Sequence, residues 1–152
     1  MTRNDLAFLK SAISNSSCDF YIDLENISPC GSQGYVQKFI YKYCMAYLNQ
    51  QDSFINQAWQ NDVRVCLQQT MVNYLENNLL ASCPEIKKHG FDSHTDCYLN
   101  PDPSNPEITF CRLPPQDMAR VIWIARGAAF EPALWVQFSR LITHCATQTF
   151  QG

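Results

Sequence analysis

Eight cysteines are spread along this 152-residue chain, and their spacing constrains the fold more than any other feature. Successive cysteines are separated by 12, 14, 22, 17, 14, 14 and 34 positions, so no two lie within one helical turn. Zinc ribbons and thioredoxin-like sites need two thiols at that short spacing, because both sulfurs must reach one metal or each other. The pattern therefore predicts four disulfides. The cysteines that would form them are Cys18, Cys30, Cys44, Cys66, Cys83, Cys97, Cys111 and Cys145.

Four disulfides predict a location outside the cytosol, because cytosolic glutathione keeps thiols reduced. We therefore expect a secreted, extracellular protein. The first residues, "MTRNDLAFLK", lack the basic start, apolar run and small-residue cleavage site of a signal peptide. A leader peptide is thus expected to have been removed ahead of this sequence. No stretch approaches eighteen uninterrupted apolar residues, and no transmembrane segment is expected.

The charge balance excludes one large class of partner. The net charge is −3 and the sequence pI about 5.5, so the basic footprint of a nucleic-acid-binding protein is missing. A chain of this length buries roughly two-thirds of its unfolded surface, which is enough for one core. We predict one domain over residues 1–152, with an N-terminal helix at 1–17, a stapled helical core at 18–98 and a C-terminal helical hairpin at 99–152.

Apolar residues recur at helical spacing in several segments, and strand-like alternation is scarce. The clearest case is an aromatic stripe at every fourth position, formed by Tyr35, Phe39, Tyr43 and Tyr47, which indicates a core face. The sequence therefore predicts an all-α fold, a disulfide-stapled bundle of about five helices. These helices are expected at residues 4–14, 34–48, 52–80, 115–128 and 131–147, with an irregular link at 16–34.

The segment "CPEIKKHGFDSHTDC", from Cys83 to Cys97, raises two questions of chemistry. Its proline is expected to end the preceding helix, because proline lacks an amide hydrogen and disfavours helix at the residue before it. We predict a surface segment whose charges are solvated and whose ends are tied to two different helices. Within it, Lys87, Lys88 and His89 form either a plain solvated turn or a small cationic patch for a phosphate or an anionic lipid headgroup.

A second pattern in this segment is D-x-H-x-D, formed by Asp92, His94 and Asp96. Oxygen and nitrogen ligands on a turn can bind a divalent cation, but the glycine and distal glutamate of a calcium loop are missing. The favoured interpretation is that Asp92 caps a short helix running toward Cys97. These residues are a weak candidate metal site, and neither a metal nor a cofactor is expected.

No pattern of a catalytic site occurs in the sequence. G-x-S-x-G, a Cys/His pair and a Ser/Lys box are all missing, and every thiol has a prospective partner. His144 lies beside the apolar face of the last predicted helix, where a structural role is favoured. We therefore predict no catalytic residues and keep a secreted enzyme as the weaker alternative. Asn15 and Asn26 begin triplets with the form of glycosylation acceptors.

Three segments carry a resemblance to a known family: "CGSQGYVQKFIYKYCMAYL", "DSFINQAWQNDVRVCLQ", and the Cys83 to Cys97 segment with its "HTDCY" ending. With the cysteine gaps, they resemble the stanniocalcin family of secreted glycoprotein hormones over residues 18–145. The resemblance implies a small helical domain. It also implies the pairs Cys18 with Cys44, Cys30 with Cys83, Cys66 with Cys97, and Cys111 with Cys145.

The function expected from these observations is binding. We predict a secreted, non-enzymatic, stanniocalcin-like protein that acts extracellularly on an unidentified protein receptor or on a membrane. The chain is also rich in Asn and Gln, a composition that suits a protein exported by an AT-rich bacterium. The alternative is therefore a secreted pathogen effector that binds a host protein or a phosphoinositide lipid.

Overall fold

A computed structural model describes the backbone of residues 1–151 and the side chains of residues 1–147. Within that part of the chain no strand forms, and the predicted all-α, disulfide-stapled fold class is confirmed. The described residues form seven α-helices, against about five predicted. They are α1 (Arg3–Ala12), α2 (Asp19–Ile27), α3 (Tyr41–Asn49), α4 (Gln57–Glu76), α5 (Cys83–Leu99), α6 (Pro115–Ala125) and α7 (Pro132–Gln151), with a π-helical turn at Val36–Ile40 leading into α3.

The first additional helix is α2, which occupies the segment predicted to be an irregular link. Its Phe20, Tyr21 and Leu24 are buried against α1 and the π-helical turn. Nine residues are too few for a stable isolated helix, so tertiary burial of these side chains holds α2. The Ser, Asn and Pro residues around it gave the segment its loop-like composition, and the prediction of a link was wrong.

The second additional helix is α5, where a surface segment was predicted. Ser82 caps it by accepting a hydrogen bond from the backbone N–H of Glu85 at 3.3 Å. Pro84 lies in its first turn, where no intrahelical N–H bond is lost, so the proline begins a helix rather than preventing one. Asp92 lies in the middle of α5 and does not cap a helix, contrary to the prediction.

The long helix α4 is shorter than predicted at both ends. Its cap is Asn56, whose side-chain oxygen accepts the N–H of Trp59 at 3.0 Å, rather than a residue at 52–53. It ends at Glu76 rather than near Leu80. Residues 51–53 form a 3-10 turn instead, and α4 still supplies nine buried side chains, so its predicted role as a core helix is confirmed.

Aromatic side chains fill the core between α3, α4 and α5. All four members of the predicted stripe are buried, which confirms that expectation. The Tyr47 and Tyr98 hydroxyls are 2.8 Å apart, and Trp59 Nε1 donates to the backbone oxygen of Tyr98 at 3.0 Å. The polar atoms of Tyr47, Tyr98 and Trp59 are thus hydrogen-bonded inside the core, which avoids the cost of leaving them unpaired.

Four disulfides staple the helices, and they have the same pairing that the resemblance implies. Cys66–Cys97 connects α4 to α5, and Cys111–Cys145 connects the segment before α6 to α7. The pairs are Cys18–Cys44, Cys30–Cys83, Cys66–Cys97 and Cys111–Cys145. Because such bonds are reduced in the cytosol, they indicate a protein that folds outside it.

We call α6 and α7, with the turn that joins them, the C-terminal hairpin; the two helices pack on the core through different partners. Helix α7 lies on α5, and α6 lies on α3. Asp117 of α6 is fully buried, and its two carboxylate oxygens accept the backbone N–H groups of Ile55 at 2.9 Å and Asn56 at 2.8 Å. The hairpin is therefore anchored at the start of α4. Among the described residues, no helix combines the length and apolar character needed to cross a bilayer.

Candidate functional site

The three residues predicted as a cationic patch lie on one helix but point in different directions. Lys87 pairs with Glu131, whose carboxylate is 3.0 Å from the lysine Nζ. Lys88 pairs with Asp92 one turn further along α5, at 2.6 Å. Consecutive helical residues are about 100° apart, so α5 does not gather these side chains on one surface.

His89, the third of these residues, packs inward against α4. Its ring stacks on Tyr74, with centroids 4.3 Å apart, and its Nε2 lies 3.2 Å from the backbone oxygen of Thr70. Burial lowers the pKa of His89, so the imidazole is neutral at physiological pH. His89 therefore contributes packing here rather than positive charge.

The D-x-H-x-D residues are also separated by the helix. His94 faces the core, where Nδ1 donates to the Gly90 oxygen at 2.7 Å, and burial lowers its pKa to about 4. Asp92 binds Lys88 and accepts a hydrogen bond from Gln137 at 3.2 Å, while Asp96 is exposed. Within the part of the chain that the structure describes, no three His, Cys, Asp or Glu side chains form a metal-binding group.

Residues with catalytic potential are similarly dispersed. All eight cysteines are in disulfides, so no thiolate nucleophile is available while these bonds are closed. His144 is exposed on α7 and lines a wide, open cleft with Asp96 and Arg140. This cleft brings together charged side chains but no arrangement of nucleophile and base, and we assign it no reaction.

The most unusual surface of the molecule lies at the turn between α6 and α7. Three aromatic side chains project there: Trp123, 58% exposed, Phe130, 100% exposed, and Trp135, 55% exposed. We call this group the apolar tip. The Trp135 indole N–H donates to the Ala129 oxygen at 2.8 Å, which holds its ring against the turn. Three aliphatic side chains of α6 and α7 are also about half exposed: Ile122, Val136 and Ile142.

Helical geometry explains why these side chains are outside. Residues 121–124 are four consecutive apolar residues, and a helix directs only two of them toward one side. Val121 and Ile124, three positions apart, are buried, so Ile122 and Trp123 face outward. These outward-facing residues were not among the predicted site residues, although the apolar run at 121–124 is readable without a structure.

A basic cleft adjoins the apolar tip. We use this name for the cleft of about 330 Å³ that is lined by Lys38, Lys42, Arg126 and Gly127. The two lysines are four positions apart and lie on the same side of the helix, and Arg126 connects the cleft to the tip. Its guanidinium lies 3.6 Å from the centre of the Trp123 ring and donates to the Trp123 oxygen at 2.7 Å.

Positive charge is concentrated around this cleft although the chain as a whole is acidic. Within the described residues, Lys38, Lys42 and Arg126 form no ion pair. Lys87 lies nearby, because its Nζ and that of Lys38 are 5.9 Å and 5.3 Å from the centre of the same Phe39 ring. Of the predicted patch, only Lys87 therefore contacts the same ring as a lysine of the basic cleft, and its charge is balanced by Glu131.

Tyr43 lines the basic cleft as well as the core. It is 6% exposed, and among the described residues its hydroxyl oxygen has no hydrogen-bond partner. Burial raises the pKa of Tyr43, with Tyr98 and Glu131 adding to the effect, so the phenol stays protonated. The hydroxyl is thus a buried, protonated group of a residue that lines the cleft.

Comparison with known proteins adds no assignment: no protein family, curated protein or solved structure matches this sequence. The fold and the surface define the class, which is a disulfide-stapled all-α protein with an exposed aromatic turn beside a basic cleft.

Proposed function

We propose that this chain is a secreted, non-enzymatic binding protein that acts extracellularly through the apolar tip. The observation that carries the proposal is the exposure of Phe130 between two half-exposed tryptophans. Groups of exposed apolar side chains mark interaction sites on folded monomers, whereas single scattered ones need no explanation. Aromatic residues are also the ones that contribute most to binding energy at interfaces.

The packing of the domain gives no other reason for these side chains. Buried aromatic residues of α3, α4 and α5 fill the core, and Phe130 does not belong to it. A serine at this position would leave the described contacts in place. Exposure of the tip therefore has a role outside folding, and the absence of an acid, base or nucleophile in the tip itself favours binding over catalysis.

Two biological roles are compatible with this proposal. The resemblance to stanniocalcins suggests a hormone-like ligand of an extracellular receptor. The Asn- and Gln-rich composition and the basic cleft suggest an effector that binds a host surface. Both roles need a stapled scaffold that survives outside the cell, and both use exposed side chains at the end of the hairpin.

A binding assay on intact cultured cells tests the proposal. Labelled wild-type protein should bind saturably, and Phe130→Ser should weaken binding at least tenfold, since the removed ring is fully exposed and contributes only through a partner. Leu80→Ser is the matched control, because Leu80 is 93% exposed but lies between α4 and α5.

Two results would contradict the proposal. One is an equal affinity of Phe130→Ser and wild type, and the other is the absence of saturable binding. A parallel turnover screen addresses the weaker enzyme alternative. An enzyme forms product in excess of its own concentration, whereas a binding protein only reaches stoichiometric saturation.

A further inference from the structure

We infer that the surface bound by the apolar tip is an anionic phospholipid bilayer, with the basic cleft taking lipid phosphate groups. This inference rests on the proposed binding function and names its partner. It differs from the sequence-based expectation in its residues, because Lys38, Lys42 and Arg126 replace Lys88 and His89.

The chemistry of the tip suits the boundary between lipid headgroups and acyl chains. Tryptophan is enriched at this boundary because its ring is apolar and its N–H is polar. Trp123 and Trp135 flank Phe130, whose fully exposed ring has no polar atom to keep it in water. The tip therefore presents one ring for the acyl region and two for the headgroup level.

The charge beside the tip complements an anionic surface. Lys38, Lys42 and Arg126 line one cleft, and none has an ion-pair partner among the described residues. A guanidinium matches phosphate oxygens with two parallel N–H bonds, and lysine ammonium groups bind phosphate as point charges. The exposed backbone of Gly127 leaves the opening unobstructed by a side chain.

The two features are positioned to act together. Arg126 stacks on Trp123 of the tip and also lines the cleft, so insertion of the tip brings the cleft to the level of the phosphates. Stable attachment of a peripheral protein takes two signals, such as an apolar element plus a basic patch. An apolar tip with cations at its base has both, which favours a bilayer over a receptor protein.

Vesicle sedimentation tests the inference on the full chain. The wild type should bind vesicles of phosphatidylcholine with about one quarter phosphatidylserine, and should bind pure phosphatidylcholine much more weakly. Lys38→Gln with Lys42→Gln should weaken binding about 25-fold, from about fivefold for each cation removed near an anionic surface. Phe130→Ser should also lose binding, whereas Leu80→Ser should not.

The matched charge control is Arg3→Gln with Lys10→Gln. It removes the same net charge from α1, which packs on α2 and α4 rather than on the hairpin, and binding should stay within about twofold of wild type. Lys88→Gln separates this surface from the patch predicted from sequence, because Lys88 belongs only to that patch and pairs with Asp92. A loss there equal to that of the Lys38 and Lys42 pair would overturn the assignment to the basic cleft.

Two measurements use only the wild-type protein, so they remain decisive if a variant fails to fold. Raised salt should release the wild type from the anionic vesicles. Brominated acyl chains should quench the fluorescence of the exposed Trp123 and Trp135, while Trp59, fully buried, should be unaffected. Vesicle binding without such quenching would refute insertion of the tip.

Other outcomes distinguish this inference from the proposed function. If the wild type ignores every vesicle but binds cells until they are treated with protease, the partner is a protein. The bilayer inference then fails and the binding function stands. If neither cells nor vesicles bind, both fail. If inorganic phosphate displaces the protein from vesicles at low concentration, the cleft is a phosphate-ion site and the bilayer assignment is wrong.

Discussion

The anchor of the C-terminal hairpin is the carboxylate of Asp117, and its removal should destabilise the whole domain. Both oxygens accept backbone N–H groups at the start of α4, and the side chain is completely buried. Asp117→Asn keeps the shape but replaces one acceptor by an NH₂ group. One of the two backbone N–H groups then faces a donor.

The size of the effect follows from these two bonds. A hydrogen bond to a charged group contributes about 1.5–3 kcal/mol, and an unpaired buried donor costs about 1–3 kcal/mol. Water can reach part of the Ile55 amide, which is only partly buried, and we therefore expect a net loss of about 2–3 kcal/mol. For a domain of this length that loss lowers Tm by roughly 4–12 °C.

Thermal unfolding followed by circular dichroism under non-reducing conditions measures this loss. The matched control is Asp52→Asn, which removes the same charge from an exposed position in the neighbouring 3-10 turn. It should change stability by no more than about 0.5 kcal/mol. If Asp117→Asn is as stable as this control, the hairpin is held by packing and its disulfide, and the reasoning from the carboxylate is wrong.

Three further predictions concern the core. The pKa of His94 is held at about 4, below the ordinary 6.5, so the unfolded chain gains a proton first as pH falls. The free energy of unfolding should therefore fall by about 3 kcal/mol between pH 6.5 and 4 because of this residue. Urea titrations at several pH values measure this loss, and His94→Gln should lack it. Gly90→Ala should cost about 1–3 kcal/mol in the same assay, because the new Cβ would lie 2.3 Å from the Tyr35 ring; unchanged stability would show that the ring moves aside. Replacing Cys66 and Cys97 by serine opens a loop of 31 residues and should lower stability by about 3–4 kcal/mol by the chain-entropy argument; a loss below about 1 kcal/mol would contradict it.

The fold class was predictable because two strong signals agree. Cysteine spacing excluded metal ribbons, and the aromatic stripe from Tyr35 to Tyr47 indicated a buried helix face. Local amino-acid composition led to wrong predictions in the segments whose structure is decided by tertiary contacts. Helix α2 is held by burial of Phe20 and Leu24, which its Ser- and Pro-rich surroundings conceal. A proline such as Pro84 can either follow the end of a helix or lie in the first turn of a new one. Only the position of the Ser82 cap shows that Pro84 begins α5.

The candidate site was less predictable, because residues far apart in sequence build it. The basic cleft combines lysines near the start of α3 with Arg126 from the turn after α6, and only their packing brings them together. By contrast, Lys87, Lys88 and His89 are neighbours in sequence and diverge because they lie on a helix. The tip was partly readable, since the apolar run at 121–124 exceeds what one helix face can bury.

The order of the disulfides divides the chain into two covalent units. The bonds Cys18–Cys44, Cys30–Cys83 and Cys66–Cys97 overlap, so a single backbone cut anywhere from 18 to 97 releases no fragment from that interlocked region. The bond Cys111–Cys145 closes a separate ring that carries the aromatic turn. Within residues 18–145, only the connection between Cys97 and Cys111 is spanned by no disulfide, and residues 103–107 in it are exposed. One proteolytic event at Glu107 would therefore leave the ring that carries the aromatic turn attached by non-covalent contacts alone, which gives a protease a single place at which to uncouple it from the rest of the molecule.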